Sequence, residues 1–327
     1  MNKSHDLDRR RALLALTGGL LLAPGLMAQP TTLQVIVGFP PGGPNDIAAR
    51  AMQARLAAVL GVNVVIENKA GASGELAARM VAKGPADGST MLLGSGGALA
   101  ISPLINAALP YDPAKELLAV HSVAVSPQIV LVPASSPYKS VADLVEAARR
   151  SPGKISYASA GGSSPTRLAA ALIAHRAKVE MLHVPYRGGS PALVDLIAGQ
   201  VDFYIGGAAS AMPLVKQGRL RALAVTGSER TSIAPGIPTV AETPGLEGFN
   251  VPIWYGVFVQ AKTPPELVTR LADAIAKVTA DKTVAASLEA QGLQALVLRE
   301  QAFAKLVVEE RETWSRLITE AKLKLTE

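Results

Sequence analysis

The sequence predicts an α/β protein of two lobes, built on mixed, mostly parallel sheets and finished by a helical C-terminal tail. Three observations predict it. Short β-branched runs alternate with stretches whose apolar residues recur at helical spacing. Two passages rich in Pro, Ser or Gly, "VPASSPYKS" (132–140) and "PGLEGFNVP" (244–252), bracket a middle segment with strand-like runs of its own. From Pro264 onward the pattern is helix after helix. The simplest layout has residues 29–131 and 251–327 forming one lobe and residues 132–250 the other. Small ligands bind in clefts between such lobes.

The first 28 residues stand apart. Arg9, Arg10 and Arg11 precede an apolar run from Ala12 to Leu22, and small residues follow around Ala28. That order is the order of a secretory signal peptide, and the run is too short to span a bilayer. "RRALL" at 10–14 also fits a twin-arginine signal, which leaves the export route open. The segment carries +2 of the chain's formal +6, so +4 remains for the mature protein, a weak bias toward an anionic ligand. Its basic residues are dispersed and not interleaved with aromatics, so nucleic acid is not an expected partner. No later stretch is long and apolar enough for a membrane helix, and the mature chain is expected to be soluble.

Strand-like runs occur at 33–37, 62–66, 90–93, 129–132, 155–158, 179–184, 201–205, 220–225 and 255–259. Between them, Ile47, Ala51, Met52, Leu56 and Leu60 share one helical face; Leu168, Ala171, Leu172 and His175 share another; Leu193, Leu196 and Ile197 a third. The tail reads as helices over 265–279, 281–291 and 300–323.

Three strand-to-helix elbows share a design: "VIVGFPPGGPNDIAARAM", "ISYASAGGSSPTRLAAALI" and "HVPYRGGSPALVDLI". In each, a strand ends, two adjacent glycines follow, and a helix opens near a proline, which suits a first helical turn. Asn45 or Asp46, Ser163 or Ser164, and Ser190 are candidate N-caps. Free N–H groups and the helix dipole favour an anion there, and paired glycines let backbone approach a ligand. Any one elbow could be an ordinary turn; three together could converge on one carboxylate. "LLGSGGALA" (92–100), with Ser95, is a fourth glycine-rich strand end, or else a flexible loop.

Searches for chemistry return little. The chain has no cysteine, which excludes disulfides, thiolate metal sites, iron–sulfur clusters and a Cys nucleophile. GxSxG, the P-loop, GxGxxG and HExxH are absent. The histidines beyond the leader, His121, His175 and His183, do not pair at ligand spacing, and His175 reads as a core or rim residue. Glu309, Glu310 and Glu312 read as a solvated charge run. Trp254 and Tyr255 read as core, with the cleft as the alternative. No cofactor and no metal are expected, and the weight shifts toward a binder.

Three blocks then carry a resemblance: the stretch from "VGFPPGGPND" to "GSTMLLG", then "HVPYRGGSPALVDLIAGQVDFYIGG", then "GRLRALAVTGSERTSIAPGIPTVAE". Together they resemble the Bug family, the TctC-like periplasmic solute receptors of tripartite tricarboxylate transporters. The resemblance runs over residues 29–327. It implies a periplasmic-binding-protein fold of the second type that closes on its ligand like a flytrap. It implies a ligand carboxylate held mostly by backbone groups and bridging waters. By motif, one jaw comprises Phe39, Pro40, Gly42, Gly43, Asn45 and Asp46. The other comprises Ala160, Gly161, Ser163 and Ser164, with Tyr186, Arg187, Gly188 and Gly189 beside it. Asp202, after "GQV", matches a motif next to the pocket. The family often has proline where Gly38 stands, which leaves the pocket floor open. The expected partners are a small carboxylate and the membrane subunits of a tripartite tricarboxylate-type transporter, the receptor acting as a periplasmic monomer. Two alternatives stay open: a ligand-sensing partner of a membrane sensor kinase, and an exported enzyme using Asp202 or His183 as a base.

Overall fold

The computed structural model describes residues 31–320, and the predicted leader lies outside them. In chain order the elements are β1 (Thr32–Val37), α1 (Pro44–Leu60), β2 (Asn63–Asn68), α2 (Glu75–Ala82), β3 (Thr90–Ser95), α3 (Ser102–Ile105), α4 (Pro113–Glu116), β4 (Leu117–Ser126) and β5 (Gln128–Pro133). There follow α5 (Val141–Arg150), β6 (Ser156–Ser159), α6 (Pro165–Ala177), β7 (Leu182–Pro185), α7 (Gly189–Ile197), β8 (Phe203–Gly207), α8 (Ala208–Lys216) and β9 (Leu220–Val225). Last come β10 (Ile253–Gln260), α9 (Pro265–Thr279), α10 (Lys282–Ala290), β11 (Gln294–Ala295) and α11 (Glu300–Glu320).

The strands form two sheets, ordered β11-β4-β10-β3-β1-β2 and β7-β6-β8-β5-β9. Pairing is parallel where a helix carries the chain back, at β1–β2, β1–β3, β6–β7 and β6–β8. It is antiparallel wherever β4, β5 or β10 is involved. The sheets are therefore more evenly mixed than the sequence suggested. β5 and β10 arrive from the other sheet, so no helical crossover fixes their direction. β4, ten residues long, has no counterpart among the sequence-read runs.

Local signals set the element ends. Pro44 opens α1 and Gly61, at φ 70°, ends it in the left-handed conformation. A reciprocal Ser140–Asp143 capping box starts α5, and Asp281 caps α10. The first sheet is buried on one face by α1 and α9, through Met52, Leu56, Leu271 and Ile275. Its other face meets α2 and the start of α11, through Val81, Phe258 and Phe303. The second sheet lies between α5 with α6 and α7 with α8. The last helix serves both halves. Phe303 sits in the first-sheet core, while Trp314, three turns on, sits with Phe203 and Leu168 in the second. Each such buried side chain is worth about 1.5–3 kcal/mol. α11 thus joins the halves alongside the 126–128 and 225–253 crossings.

Candidate ligand-binding site

The first elbow leaves β1 at Gly38. A Cβ there would stand 2.6 Å from the Gly74 backbone, so glycine marks a close approach at this position. Gly42, at φ 77°, turns the chain, and its N–H donates to the Asp46 carboxylate at 3.0 Å. Asp46 also accepts from Arg50 Nε (2.9 Å) and Asn68 Nδ2 (3.0 Å). Burial would raise the Asp46 carboxyl, but these bonds hold it below its ordinary value. Asp46 therefore braces the elbow. The N-cap of α1 is Gly43, without a side-chain cap, so neither Asn45 nor Asp46 fills that role.

The second elbow follows β6. Ser164 is the N-cap of α6 and accepts from Arg167 N–H, while its hydroxyl donates to Gly161 O at 2.7 Å. Thr166 Oγ1 accepts from Ala160 N–H at 2.9 Å. Ser163 turns away to the other half: its N–H donates to Ser73 Oγ and its hydroxyl to Glu75 Oε1, both at 3.2 Å. In the third elbow the N-cap is Gly188, at φ 135° and pressed against Pro40, and not Ser190. Ser190 reaches across to Pro41 O at 3.2 Å. Tyr186 donates to Asp195, and burial, with the help of that carboxylate, pushes its phenol up to about 12. Arg187 is exposed.

The elbows meet around a cavity of about 40 Å³. Of the sequence-predicted residues, Phe39, Gly43, Asn45, Ser95, Ala160, Ser164 and Gly189 line it. Pro40, Gly42, Asp46, Gly161, Ser163, Tyr186, Arg187 and Gly188 lie outside its lining, in the bracing and jaw-to-jaw roles just described or at the surface. Asp202 is not part of it. It precedes β8, at the end of the strand opposite Gly207, and its carboxylate accepts from Ser156 N–H and Oγ at 2.7 Å.

The lining also includes Tyr204, Gly207 and Ile253, none of them predicted, and Tyr255, for which the sequence offered the cleft only as the alternative to the core. Gly207 closes a further elbow, "FYIGGAAS", which shares the paired glycines before a helix but lacks the proline in the first helical turn that marks the other three. Nothing local distinguishes Tyr255 from a core tyrosine. The four helices α1, α6, α7 and α8 all begin at the cavity, and no lining residue carries a charge.

Two side-chain donors point to what fits there. Asn45 is 5% exposed and Tyr255 1%, yet Asn45 Nδ2 and the Tyr255 hydroxyl have no protein partner. Buried polar groups are normally paired, and two unpaired donors among the residues lining one cavity can receive an acceptor group. Burial, together with neighbouring Tyr204, pushes the Tyr255 phenol up, so it stays a donor. Four helix N-termini add an anion-favouring field.

The remaining titratable candidates lie elsewhere. His183 Nε2 is 2.7 Å from Ser159 Oγ, and burial, then Arg167, drives it down to about 4, so it is neutral. His121 is buried beside the Ser122 carbonyl, and His175 is exposed. Glu310 breaks the expected solvated run. It accepts from Trp254 Nε1 (2.6 Å) and Trp314 Nε1 (3.2 Å), and burial pushes it up to about 7. Among the described residues no group of three or more His, Cys, Asp or Glu is arranged to hold a metal.

Residues 48–323 match the family described as tripartite tricarboxylate transporter family receptor, TctC. The chain belongs to this receptor family. It is 39% identical over 323 residues to a UPF0065 protein from the tcbD–tcbE intergenic region of Pseudomonas sp. strain P51, covering 97% of this chain and 96% of that one. It is 30% identical over 321 residues to BugT of Bordetella pertussis, covering 96% and 98%. Among solved structures it resembles Rpa4515 of R. palustris with adipate, at 33% identity and a TM-score of 0.86, covering 90% and 98%. The family match begins at residue 48, two positions after Asp46.

Proposed function

We infer that this TctC-family receptor closes on a small carboxylate in the cavity and delivers it to the membrane subunits of a tripartite tricarboxylate-type transporter. The observation that carries the reading is the two unpartnered donors, Asn45 Nδ2 and Tyr255 Oη, of residues lining a cavity at which four helices begin. The adipate held by the R. palustris neighbour supports the ligand class.

In this reading the first-sheet half, residues 29–127 and 251–327, and the second-sheet half, residues 128–250, act as lobes; β5 pairs in the second sheet from Gln128 onward, so the boundary falls before it and not at 131 as the sequence suggested. Residues 1–28 export the chain to the periplasm, where it works as a monomer. A ligand touching both lobes stabilises the closed form by its differential affinity, with no chemistry on the ligand. The two bases an enzyme reading would use are committed elsewhere, Asp202 to Ser156 and His183 to Ser159.

The test is a thermal-shift panel on ligand-stripped residues 29–327 with citrate, C4 to C6 dicarboxylates, aspartate, glutamate, nicotinate and benzoate. A true ligand at about 100 times its Kd adds roughly 2.7 kcal/mol of stability. No shift with any organic acid refutes the reading.

A further inference from the structure

The turn "GASG" (71–74) lies between the jaws and touches both. On one side Gly74 packs against Gly38 and the Phe39 ring of the first elbow. On the other, Ser73 Oγ accepts from Ser163 N–H of the second elbow, and a Cβ at Gly161 would run into the same hydroxyl. A Cβ at Gly97 would stand 2.9 Å from Ser73 O, so the turn is pinned from that side as well.

The backbone there is strained. Ala72 and Ser73 have φ of 44° and 52°, followed by Gly74 at 95°. The left-handed region is unfavourable for residues with a Cβ, and two in succession are rare. Strain of this kind persists where the surroundings over-determine it, often at ligand clamps. Here the result is a hydroxyl, 5% exposed, presented to the opposite jaw. Next to it, Glu75 accepts from Ser163 Oγ (3.2 Å) and Ser102 Oγ (2.7 Å).

We propose that Ser73 is a positioning residue for ligand binding: its hydroxyl, aimed by the strained turn, docks the second elbow as the two halves close over the cavity. The proposal rests on the receptor reading above. It separates Ser73 from the ligand-lining residues, because Ser73 acts through Ser163 and Gly161 and does not line the cavity.

The chain has no cysteine, so spin labels can be placed cleanly at Arg79→Cys on α2 and Arg150→Cys on α5, both exposed positions. Pulsed electron–electron distance measurements on the doubly labelled protein, without ligand, report closure directly. Ser73→Gly keeps the left-handed turn, which glycine adopts freely, and removes the hydroxyl. The expected result is at least a threefold loss of the short-distance population. Ala72→Gly relieves strain and keeps the hydroxyl, so its distance distribution matches the parent. An unchanged distribution in Ser73→Gly overturns the proposal, whether or not its melting temperature falls. Equal opening in Ala72→Gly also overturns it, since stiffness and not the hydroxyl would then be the cause. Titration of unlabelled parent with adipate and the acid panel is read separately. Failure of every acid there, with closure still dependent on Ser73, refutes the receptor reading and leaves the docking contact standing.

Discussion

Tyr255→Phe removes one oxygen from the cavity wall and leaves the ring in place. The ring is 1% exposed and packed in the first-sheet core, and the hydroxyl makes no protein hydrogen bond. Without ligand, the substitution therefore shifts stability by no more than about 1 kcal/mol, because no protein partner is stranded. With ligand the loss is larger. A hydrogen bond to a charged group is worth about 1.5–3 kcal/mol, and each 1.4 kcal/mol is tenfold in Kd, so affinity for a carboxylate falls roughly 10- to 140-fold. Calorimetric titration of parent and variant, paired with denaturant melts of both in the unliganded state, reads the two quantities independently. Unchanged affinity refutes the assignment of Tyr255 to the ligand. A collapse of unliganded stability by more than about 3 kcal/mol refutes the claim that its hydroxyl is unpartnered.

Gly42→Val acts by backbone strain and not by clash, since φ is 77° and the nearest atom to a new Cβ is Ser190 Oγ at 4.0 Å. It should cost about 1–2 kcal/mol of stability and weaken ligand binding by moving Gly43, and normal binding in calorimetry would remove the first elbow from the clamp. Ser163→Ala works through stability, because its hydroxyl bonds to Glu75 and Ser102; urea melts should show a loss of about 1–3 kcal/mol, and no loss would mean those bonds are not formed in solution. Glu310 gives a pH signature. Its carboxyl rises from 4.5 to about 7, so over that window the folded chain holds a proton the unfolded chain has released, and stability falls as pH rises. Glu310→Gln should therefore gain on the parent steadily from pH 4.5 to 7 in parallel melts, and a constant difference would contradict it. His183, lowered from 6.5 to about 4, works in the opposite sense, and burial lowers His121 likewise; both make stability fall as pH drops below 6.5, so the Gln variant should keep that limb without the Glu310 one.

Much of the scaffold was legible because its signals are local. A strand that ends in paired glycines before a proline-opened helix needs only some fifteen residues to declare itself, and all three elbows open helices at the cavity. β4 escaped because its sequence, "LLAVHSVAVS", is buried on both faces and includes His121 and Ser122, so it shows neither clean alternation nor an unbroken apolar run. The division of labour within each elbow was not legible either. Gly43 and Ser164 line the cavity while Gly42 and Ser163 do not: Gly42 is held by Asp46 within the elbow, and Ser163 is drawn to Glu75, far away in sequence. Tyr255 and Glu310 show the same limit. A tyrosine in a strand reads as core until Asn45 and Gly207 are seen beside the same cavity, and a glutamate in a charge run reads as solvated until two tryptophans are found donating to it.

A crystal structure of residues 29–327 grown with the tightest-binding acid of the panel tests the clamp most directly. The expected density is a carboxylate within hydrogen-bond distance of both Asn45 Nδ2 and Tyr255 Oη, flanked by backbone N–H groups from the Gly43 and Gly189 elbows. A ligand bound elsewhere, or one in the cavity whose acid group faces away from Asn45 and Tyr255, would contradict it.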